Sequence, residues 1–171
     1  MARILGLGYP GGPAVAAEAA KFEIRNSKSK ISLPRPMIYQ KNYDFSFSGL
    51  KTAVLYDYKS RSSKVRKSKK YISRIAAETQ QAIIDVLIYK TLKAIKNYKA
   101  KTIFLGGGVA TNEELRKQFE THSSNAKVNF FVPPKKFCTD NAVMIALTGY
   151  LCWVKKKKWP KIKAEANLRI S

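Results

Sequence analysis

Three consecutive glycines at positions 106–108 constrain this chain more strongly than any other feature of its sequence. The apolar residues 103–105 before them predict a short buried strand, and Thr111 with Glu114 fits a capping box that starts a helix one or two residues later. Glycine has no Cβ, so a ligand can approach its backbone closely, and the free N–H groups of a helix start attract anions. The pattern therefore predicts an α/β corner that either cradles a phosphate or is simply a tight turn.

The glycine triplet matches neither of the widespread nucleotide-binding patterns. It lacks the Gly-x-Gly-x-x-Gly spacing of dinucleotide-binding folds, and no Gly-Lys-Ser/Thr follows it as in a P-loop. Other segments of the chain must therefore decide whether the corner binds a ligand.

Hydrophobic periodicity predicts the elements around this corner. A helical stripe over 71–98 indicates a long core helix, and residues 128–132 indicate a second short strand closed by two prolines. A further helix is expected after Thr139 or Asp140, either of which would cap it. The residues expected to share one face of this helix are Val143, Ala146, Leu147, Tyr150 and Leu151.

The first third of the chain gives weaker signals. Pro13 fits the first position of a helix that continues over 14–20, and residues 21–43 indicate an extended, loop-like passage. The alternation of aromatic and small polar residues over 44–49 predicts a strand with one buried face, and a helix is expected over 53–59.

Basic residues dominate the charge. Lys and Arg number 33 against 11 Asp and Glu, and the net charge of +22 predicts attraction to polyanions, although a lysine-rich proteome is another source of such a composition. Residues 59–70 are interpreted either as an RNA-binding loop that orders on its partner or as a solvated connection, and a basic tail follows over 155–171. The side chains expected to contact RNA in the first of these segments are Lys64, Arg66, Lys67, Lys69 and Lys70.

Cysteine and histidine usage excludes several classes of site. Cys138 and Cys152 form no Cys-x-x-Cys pair, so neither a disulfide framework nor a thiolate metal site is indicated. No apolar run is long enough to span a bilayer, and a Pro-Gly turn interrupts the early apolar residues, so a cytoplasmic location without membrane contact is expected. His122 is expected at the surface, and no catalytic side chain is assigned.

Four segments carry a joint pattern. Residues 8–13, 44–52, 106–112 and 137–142 read Gly-Tyr-Pro-Gly-Gly-Pro, Asp-Phe-Ser-Phe-Ser-Gly-Leu-Lys-Thr, Gly-Gly-Gly-Val-Ala-Thr-Asn and Phe-Cys-Thr-Asp-Asn-Ala. In this order and spacing they resemble the TsaD family. The resemblance implies an α/β fold of the actin-like ATPase superfamily with a ribonuclease-H-like lobe. It also implies transfer of a threonylcarbamoyl group from threonylcarbamoyl-AMP to N6 of the adenosine 3′ to the tRNA anticodon.

The resemblance also implies site residues. Asp140 would be a ligand of one divalent metal, iron or zinc, and Asn112 would bind the ribose of the adenylate or of ATP. Gly12 would approach the substrate through its backbone, while Gly107 and Gly108 would line the phosphates.

The resemblance covers only the family's C-terminal half. Residues 1–171 are therefore expected to form a single, incomplete lobe, because the His-x-x-x-His metal pair of the family's N-terminal half does not occur in the sequence. The implied partners are tRNA, the missing N-terminal half or a complementary chain, and the synthesis proteins TsaB and TsaE. The alternative is a non-catalytic module that binds tRNA or nucleotide; a sugar-kinase-like phosphotransferase is disfavoured by the Phe-Cys-Thr-Asp-Asn segment.

Overall fold

The computed structural model describes residues 1–22 and 31–158. Within these residues the chain forms six α-helices and a small parallel sheet, so the α/β class predicted from the sequence is confirmed. Short 3-10 turns lie at Ala2–Leu5, Gly108–Thr111 and Lys135–Phe137. The helices are α1 Gly11–Ala19, α2 Ser48–Ser60, α3 Ser63–Arg66, α4 Lys69–Tyr98, α5 Glu113–Asn125 and α6 Ala142–Val154, and the strands are β1 Thr102–Phe104 and β2 Asn129–Phe131.

Helix α4 is the longest element and organises the others. Ser68 caps its start by accepting a hydrogen bond from the Tyr71 backbone N–H at 3.3 Å, and Lys99 ends it in the left-handed conformation with φ 52°. Buried side chains recur along the helix as far as Lys90. The core helix predicted over 71–98 is thus confirmed.

The first half of α4 packs against α1 and α2 and forms the larger of two hydrophobic cores. Its side chains come from distant parts of the sequence, so burial here holds the first and middle thirds of the chain together. Five of its members have no exposed surface, namely Leu50, Val54, Ile75, Ala76 and Ala82.

Arg35 anchors the irregular residues 31–47, which precede α2, to helix α4. Its guanidinium pairs with Glu78 and with Asp85, both on α4, and also donates to the Leu33 carbonyl at 2.6 Å. These hydrogen bonds outweigh the burial that disfavours the charged form, so the pKa of Arg35 is raised and the group stays cationic.

The two strands pair in parallel, with Thr102 opposite Asn129 and Phe104 opposite Phe131. Helix α5 connects them and runs beside α4, as the crossover of a parallel pair requires. A second, smaller core lies between α4, α5 and the sheet, and its buried members are Ile84, Ile88, Leu115 and Phe119.

None of the described elements covers the other side of the sheet. Ile103 is 7% exposed, but Phe104 is 79% and Phe131 is 54% exposed, and their rings stack with centroids 5.3 Å apart. The prediction of a buried strand over 103–105 is therefore wrong for Phe104, because no described element packs against that face of β1.

Helix α6 is apolar on all sides and has no buried residue. A helix is confirmed after the Phe-Cys-Thr-Asp-Asn segment, and the five residues predicted to share one of its faces are all exposed. The exposed fraction of its large apolar side chains runs from 42% at Met144 to 75% at Ile145. Such a surface is unusual for a helix exposed to water.

Two elements in the first third differ from prediction. Helix α1 begins at Gly11, so Pro13 lies in its first turn, and α2 begins at Ser48, five residues before the predicted start. The strand predicted over 44–49 does not form. The Lys90 ammonium on α4 donates a hydrogen bond to the Asp44 carbonyl at 2.6 Å, and Ser48 already belongs to α2. Both ends of the segment are therefore engaged in contacts other than strand pairing.

The basic segment 59–70 is also more regular than predicted. It contains the end of α2, the whole of α3 and the start of α4, and Ser62 caps α3 by accepting from the Val65 N–H. The expectation of a loop that orders only on a partner is therefore wrong. Of the basic tail, residues 155–158 are exposed, while 159–171 lie outside the described residues.

None of the described helices is long and apolar enough to cross a membrane. Both cysteines, Cys138 and Cys152, are free.

Candidate functional site

The glycine corner lies where β1 leads into α5. Gly106, Gly107 and Gly108 are all exposed, and Gly107 has φ 81°, a conformation that favours glycine. A Cβ added at any of the three would meet no atom within 4 Å. A ligand could therefore approach the backbone of these three glycines without meeting another atom of the described chain.

Asn112 caps α5 and is held in place from α4. Its Oδ1 accepts a hydrogen bond from the Leu115 N–H at 2.9 Å, and its Nδ2 donates to Gln80 Oε1 at 2.8 Å. The capping box predicted for Thr111 and Glu114 is wrong, because Thr111 ends a 3-10 turn and donates to the Gly108 carbonyl instead. Asparagine caps a helix as readily as threonine, so sequence alone did not distinguish the two positions.

Arg116 connects the glycine corner with the predicted metal segment. Its Nε donates to the Ala110 carbonyl in the turn beside the glycines. Its Nη2 donates to the Pro133 carbonyl at 2.8 Å and to Cys138 Sγ at 3.1 Å. Neither Gln80 nor Arg116 was identified from the sequence, since a single polar residue on a helix gives no signal of its distant partners.

Asp140 is exposed and lies two residues before the start of α6. The predicted cap at Thr139 or Asp140 is wrong, because Asn141 Oδ1 accepts the hydrogen bond from the Met144 N–H at 3.1 Å. Because Asn141 caps the helix, the Asp140 carboxylate does not serve as the cap and could bind a ligand. However, no three His, Cys, Asp or Glu side chains of the described residues come together as a metal site would require.

Gly12 lies in the first turn of α1 and is exposed. A Cβ added there would meet no atom within 4 Å, so a ligand can reach this backbone as well. Helix α1 packs against α4, the helix whose Gln80 holds Asn112. The predicted nucleotide-binding positions therefore lie on elements that share α4 as their support.

The predicted RNA-binding side chains occupy the surface around α3. Lys64, Lys67, Lys69 and Lys70 are exposed, and Arg66 is half-buried with its guanidinium 5.6 Å from the centre of the Tyr58 ring. The structure thus presents these cations together on a folded surface, which we call the basic elbow and define as residues 59–70.

Asp57 orders the base of the basic elbow. It pairs with Arg61 at 2.6 Å and accepts a hydrogen bond from the Tyr71 hydroxyl at 3.0 Å. Burial and the neighbouring carboxylate raise the pKa of Tyr71 above its usual range, and the same carboxylate raises the pKa of Arg61. Arg61 is therefore less available to a ligand than the lysines around it.

A separate cleft of about 620 Å³ lies between the Arg35 segment and helices α4 and α5. Tyr39 and Tyr89 meet edge to face on its rim, and His122 lies on it too, exposed as the sequence predicted. None of the predicted site residues lines this cleft.

Comparison with known proteins identifies one family. A sequence profile described as TsaD, tRNA N6-adenosine threonylcarbamoyltransferase, matches residues 1–147. Curated relatives of the same name include proteins of Thermosipho africanus, 46% identical over 171 residues, and Desulfotalea psychrophila, 47% identical over 151 residues. The relative from Francisella tularensis subsp. holarctica is 40% identical over 169 residues.

These relatives are longer than the chain. The alignments cover 99%, 88% and 99% of the chain, but only 49%, 43% and 47% of the respective relatives. The chain therefore spans about half the length of the curated relatives it matches.

Proposed function

The chain belongs to the TsaD family of tRNA N6-adenosine threonylcarbamoyltransferases, and we propose that it supplies the C-terminal part of such an enzyme. The complete enzyme would transfer the threonylcarbamoyl group from threonylcarbamoyl-AMP to N6 of the adenosine 3′ to the tRNA anticodon. The observation that carries the proposal is the open glycine corner between β1 and α5, with Asn112 fixed beside it by Gln80.

The proposed architecture is one lobe of an actin-like, ribonuclease-H-like fold. The short parallel sheet has α4 and α5 on one side and an opposite side that no described residue covers, which supports a lobe whose remaining parts come from another segment. The N-terminal half found in the relatives, in the same polypeptide or as a complementary chain, is the proposed source. TsaB and TsaE are proposed as further partners, and the cytoplasm as the location.

In this proposal the glycine corner and Asn112 position the adenylate. A mixed anhydride is already activated, so orientation and stabilisation of the departing phosphate suffice for the protein's share of the reaction. The first N–H groups of α5 favour negative charge beside the glycines. Glu113 in the same turn pairs with Lys135, which holds the pKa of that carboxyl low and offsets its charge near the phosphates.

The described residues alone do not fit the divalent metal that the family resemblance implies. Asp140 is one exposed carboxylate, whereas a catalytic metal typically needs about three protein ligands. A metal, iron or zinc, would supply polarisation of the carbamoyl carbonyl only with ligands from another segment. The share proposed for this chain is therefore one ligand, Asp140.

We propose the basic elbow as the surface that holds the tRNA backbone. Lys64, Lys67, Lys69 and Lys70 are exposed on a folded segment, and Arg66 lies over an aromatic ring. Contacts of lysine and arginine with phosphates carry affinity without sequence specificity and weaken as salt rises.

Calorimetric titration with AMP and ATP tests the nucleotide site. The variants are Gly108→Ala and Asn112→Ala, and Gly149→Ala on α6 is the matched control. An added Cβ meets no atom within 4 Å at Gly108 or Gly149, so neither alanine disturbs the folded chain by collision. We expect nucleotide binding to the wild type and to Gly149→Ala, and at least about tenfold weaker binding to Gly108→Ala, because the methyl group occupies the space of the phosphate.

Equal binding by Gly108→Ala and Gly149→Ala would show that the glycine corner does not contact the nucleotide. Gly107→Ala is a poorer choice, because φ 81° at this position strains any side chain whether or not a ligand is present.

A second candidate function is a non-catalytic module that binds tRNA or nucleotide. The exposed cations of the basic elbow and the open glycine corner are the features that such a module would use. Transfer of labelled threonylcarbamoyl from its adenylate to tRNA distinguishes the two candidates, with the chain assayed together with the N-terminal half of the Thermosipho africanus relative. Product formation that disappears with Asp140→Asn supports the enzyme, whereas tRNA binding without product supports the module.

A further inference from the structure

Residues 39–43 and 89–98 meet on the surface of the chain and carry four tyrosines; we call this surface the tyrosine face. Tyr39 lies against Tyr89 of α4, edge to face, with ring centres 5.5 Å apart. The two side chains are 80% and 42% exposed. Both stand on the rim of the cleft of about 620 Å³, so a planar group that enters the cleft would meet aromatic surface.

Side-chain contacts hold the tyrosine face in one arrangement. Lys93 on α4 donates to both carbonyls of residues 40–41 at 2.8 Å, and its ammonium lies 5.6 Å from the centre of the Tyr43 ring. Asn97 donates to the Tyr43 hydroxyl at 2.7 Å, and the same ring meets that of Tyr98, which is 72% exposed. The rings are therefore positioned in the free chain, which lowers the entropy cost of binding a partner.

The tyrosine face also carries an excess of positive charge. Residues 86–101 contain five lysines and no Asp or Glu. Tyr89, Lys93 and Lys96 are spaced i, i+4 and i+7, so they share one face of α4. Asp85, the preceding acid on the helix, is already held in an ion pair at 2.8 Å. Aromatic rings and cations thus alternate along one surface.

This combination is typical of surfaces that bind unpaired nucleotides. Bases stack on aromatic rings with little dependence on sequence, while lysines attract the phosphates between them. An apolar protein surface fits less well, because it would leave the charges of Lys93 and Lys96 without a counterpart. Tyr89 and Tyr98 lie about 14 Å apart along the helix axis, so a single base would use only one of the two ring pairs.

We propose that the tyrosine face binds a short unpaired segment of RNA, with one base stacked on Tyr39 at the mouth of the cleft and the strand continuing towards Tyr98. His122 of α5 also lines the cleft and offers its ring nitrogens to the edge of that base.

The tyrosine face is a different surface from the basic elbow. The elbow ends in the first turn of α4, about 30 Å from Tyr89 along the helix axis, and its lysines would contact phosphates. The choice of RNA over DNA rests on the proposed function, whereas stacking on the tyrosine rings does not.

Fluorescence anisotropy with a labelled oligouridine of about twelve nucleotides tests the stacking on the chain as it is. Tyr39→Ala is expected to weaken binding at least about fivefold, because the base loses its ring. Tyr39→Phe keeps the ring and is the matched control, with affinity expected within about twofold of the wild type. Tyr39 is 80% exposed, so neither change disturbs a core.

A fully paired RNA duplex of the same length separates the two surfaces. It presents no unpaired base along its length, so its affinity should be the same for Tyr39→Ala and Tyr39→Phe. The combined change Lys67→Gln and Lys70→Gln in the basic elbow should weaken the duplex instead, because two phosphate contacts are lost.

Equal binding of oligouridine by Tyr39→Ala and Tyr39→Phe would overturn the proposal, and so would a wild-type chain that does not bind it. A polyglutamate peptide that binds with the same dependence on Tyr39 would assign the surface to an acidic protein partner instead. Uridine monophosphate that binds with that dependence and as tightly as the oligomer would assign it to a free nucleotide. Tyr39-dependent binding of oligouridine by a chain that transfers no threonylcarbamoyl group would overturn the proposed activity and leave the tyrosine face intact.

Discussion

The two halves of the structure use apolar residues differently. Around the first half of α4, Leu50, Val54 and Ile75 have no exposed surface, and their partners come from α1 and α2 of the same chain. Around the sheet and α6, residues that are just as apolar remain exposed, Phe104 to 79% and Ile145 to 75%. Hydrophobic patterning shows which residues require burial, but it does not show whether the covering segment belongs to the same chain.

The largest effect is expected when one buried and one exposed apolar side chain are replaced in turn. Ile75→Ala should lower the free energy of unfolding by about 3 kcal/mol, since it removes methylene groups from a closed core and leaves a cavity. Phe104→Ala should change it by less than about 0.5 kcal/mol, because the ring is largely in water already. Urea denaturation followed by circular dichroism measures both values.

The comparison fails if the two variants lose similar stability, because Phe104 would then be part of a core that the free chain has formed.

Lys90 tests how the closed half holds an irregular segment. This lysine is 1% exposed, and its ammonium donates to the carbonyls of Asp44 at 2.6 Å and of Asn42 at 3.2 Å. Lys90→Met should lower the free energy of unfolding by about 2 kcal/mol, because the two carbonyls lose a donor that reaches them from a buried side chain.

Lys93→Met is the matched control for Lys90→Met. Lys93 also donates to two carbonyls, those of Gln40 and Lys41 at 2.8 Å, but at the surface. Water can replace it there, so a loss below about 0.5 kcal/mol is expected in the same denaturation experiment. Equal losses would mean that burial does not distinguish the two lysines.

Two asparagine caps give a smaller effect of the same kind. Asn112→Ala removes the cap of α5 and the link to Gln80, and should cost about 1 kcal/mol. Asn141→Ala removes the cap of α6, a helix without buried residues, so the global unfolding transition should hardly move. Thermal unfolding by calorimetry compares them, and a larger effect from Asn141→Ala would show that α6 is packed in the free chain.

The sequence predicted elements whose burial comes from within the chain better than those whose partners are elsewhere. The stripe over 71–98 gave α4 correctly because its apolar period reports a core that the chain itself closes. The strand predicted from the alternation over 44–49 is wrong. In the structure Phe45 and Phe47 stack on each other, and Lys90 donates a hydrogen bond to the Asp44 carbonyl. A local sequence pattern cannot indicate a contact with a lysine 46 residues away.

The candidate site shows the same limit. The glycines and Asn112 were identified from local sequence and family resemblance, and the structure places them at one corner. Gln80 and Arg116, which hold that corner, were missed because their partners lie 32 and up to 22 residues away. The candidate ligand-binding positions form a local motif, whereas the residues that hold them in place are defined only by the fold.

The smallest expected difference between the two halves is in acid stability. Glu18 on α1 accepts hydrogen bonds from Lys21 at 2.6 Å and from Ser73 on α4, and these lower the pKa of its carboxyl below 4.5. A carboxyl with a lowered pKa in the folded state contributes stability above its unfolded pKa, and this is lost as pH falls through the folded value. Glu18→Gln should therefore flatten the fall of unfolding free energy below pH 4.5.

Glu113 provides the counterpart from the half with the uncovered sheet. Its pairing with Lys135 also lowers the pKa of its carboxyl, but the carboxylate is 82% exposed and its ion pair is screened by solvent and salt. Glu113→Gln should leave the fall of unfolding free energy at low pH unchanged. Urea denaturation at several pH values between 3 and 6 would contradict the contrast if both variants flattened the profile equally, since an exposed pair would then stabilise the fold as much as one that ties α1 to α4.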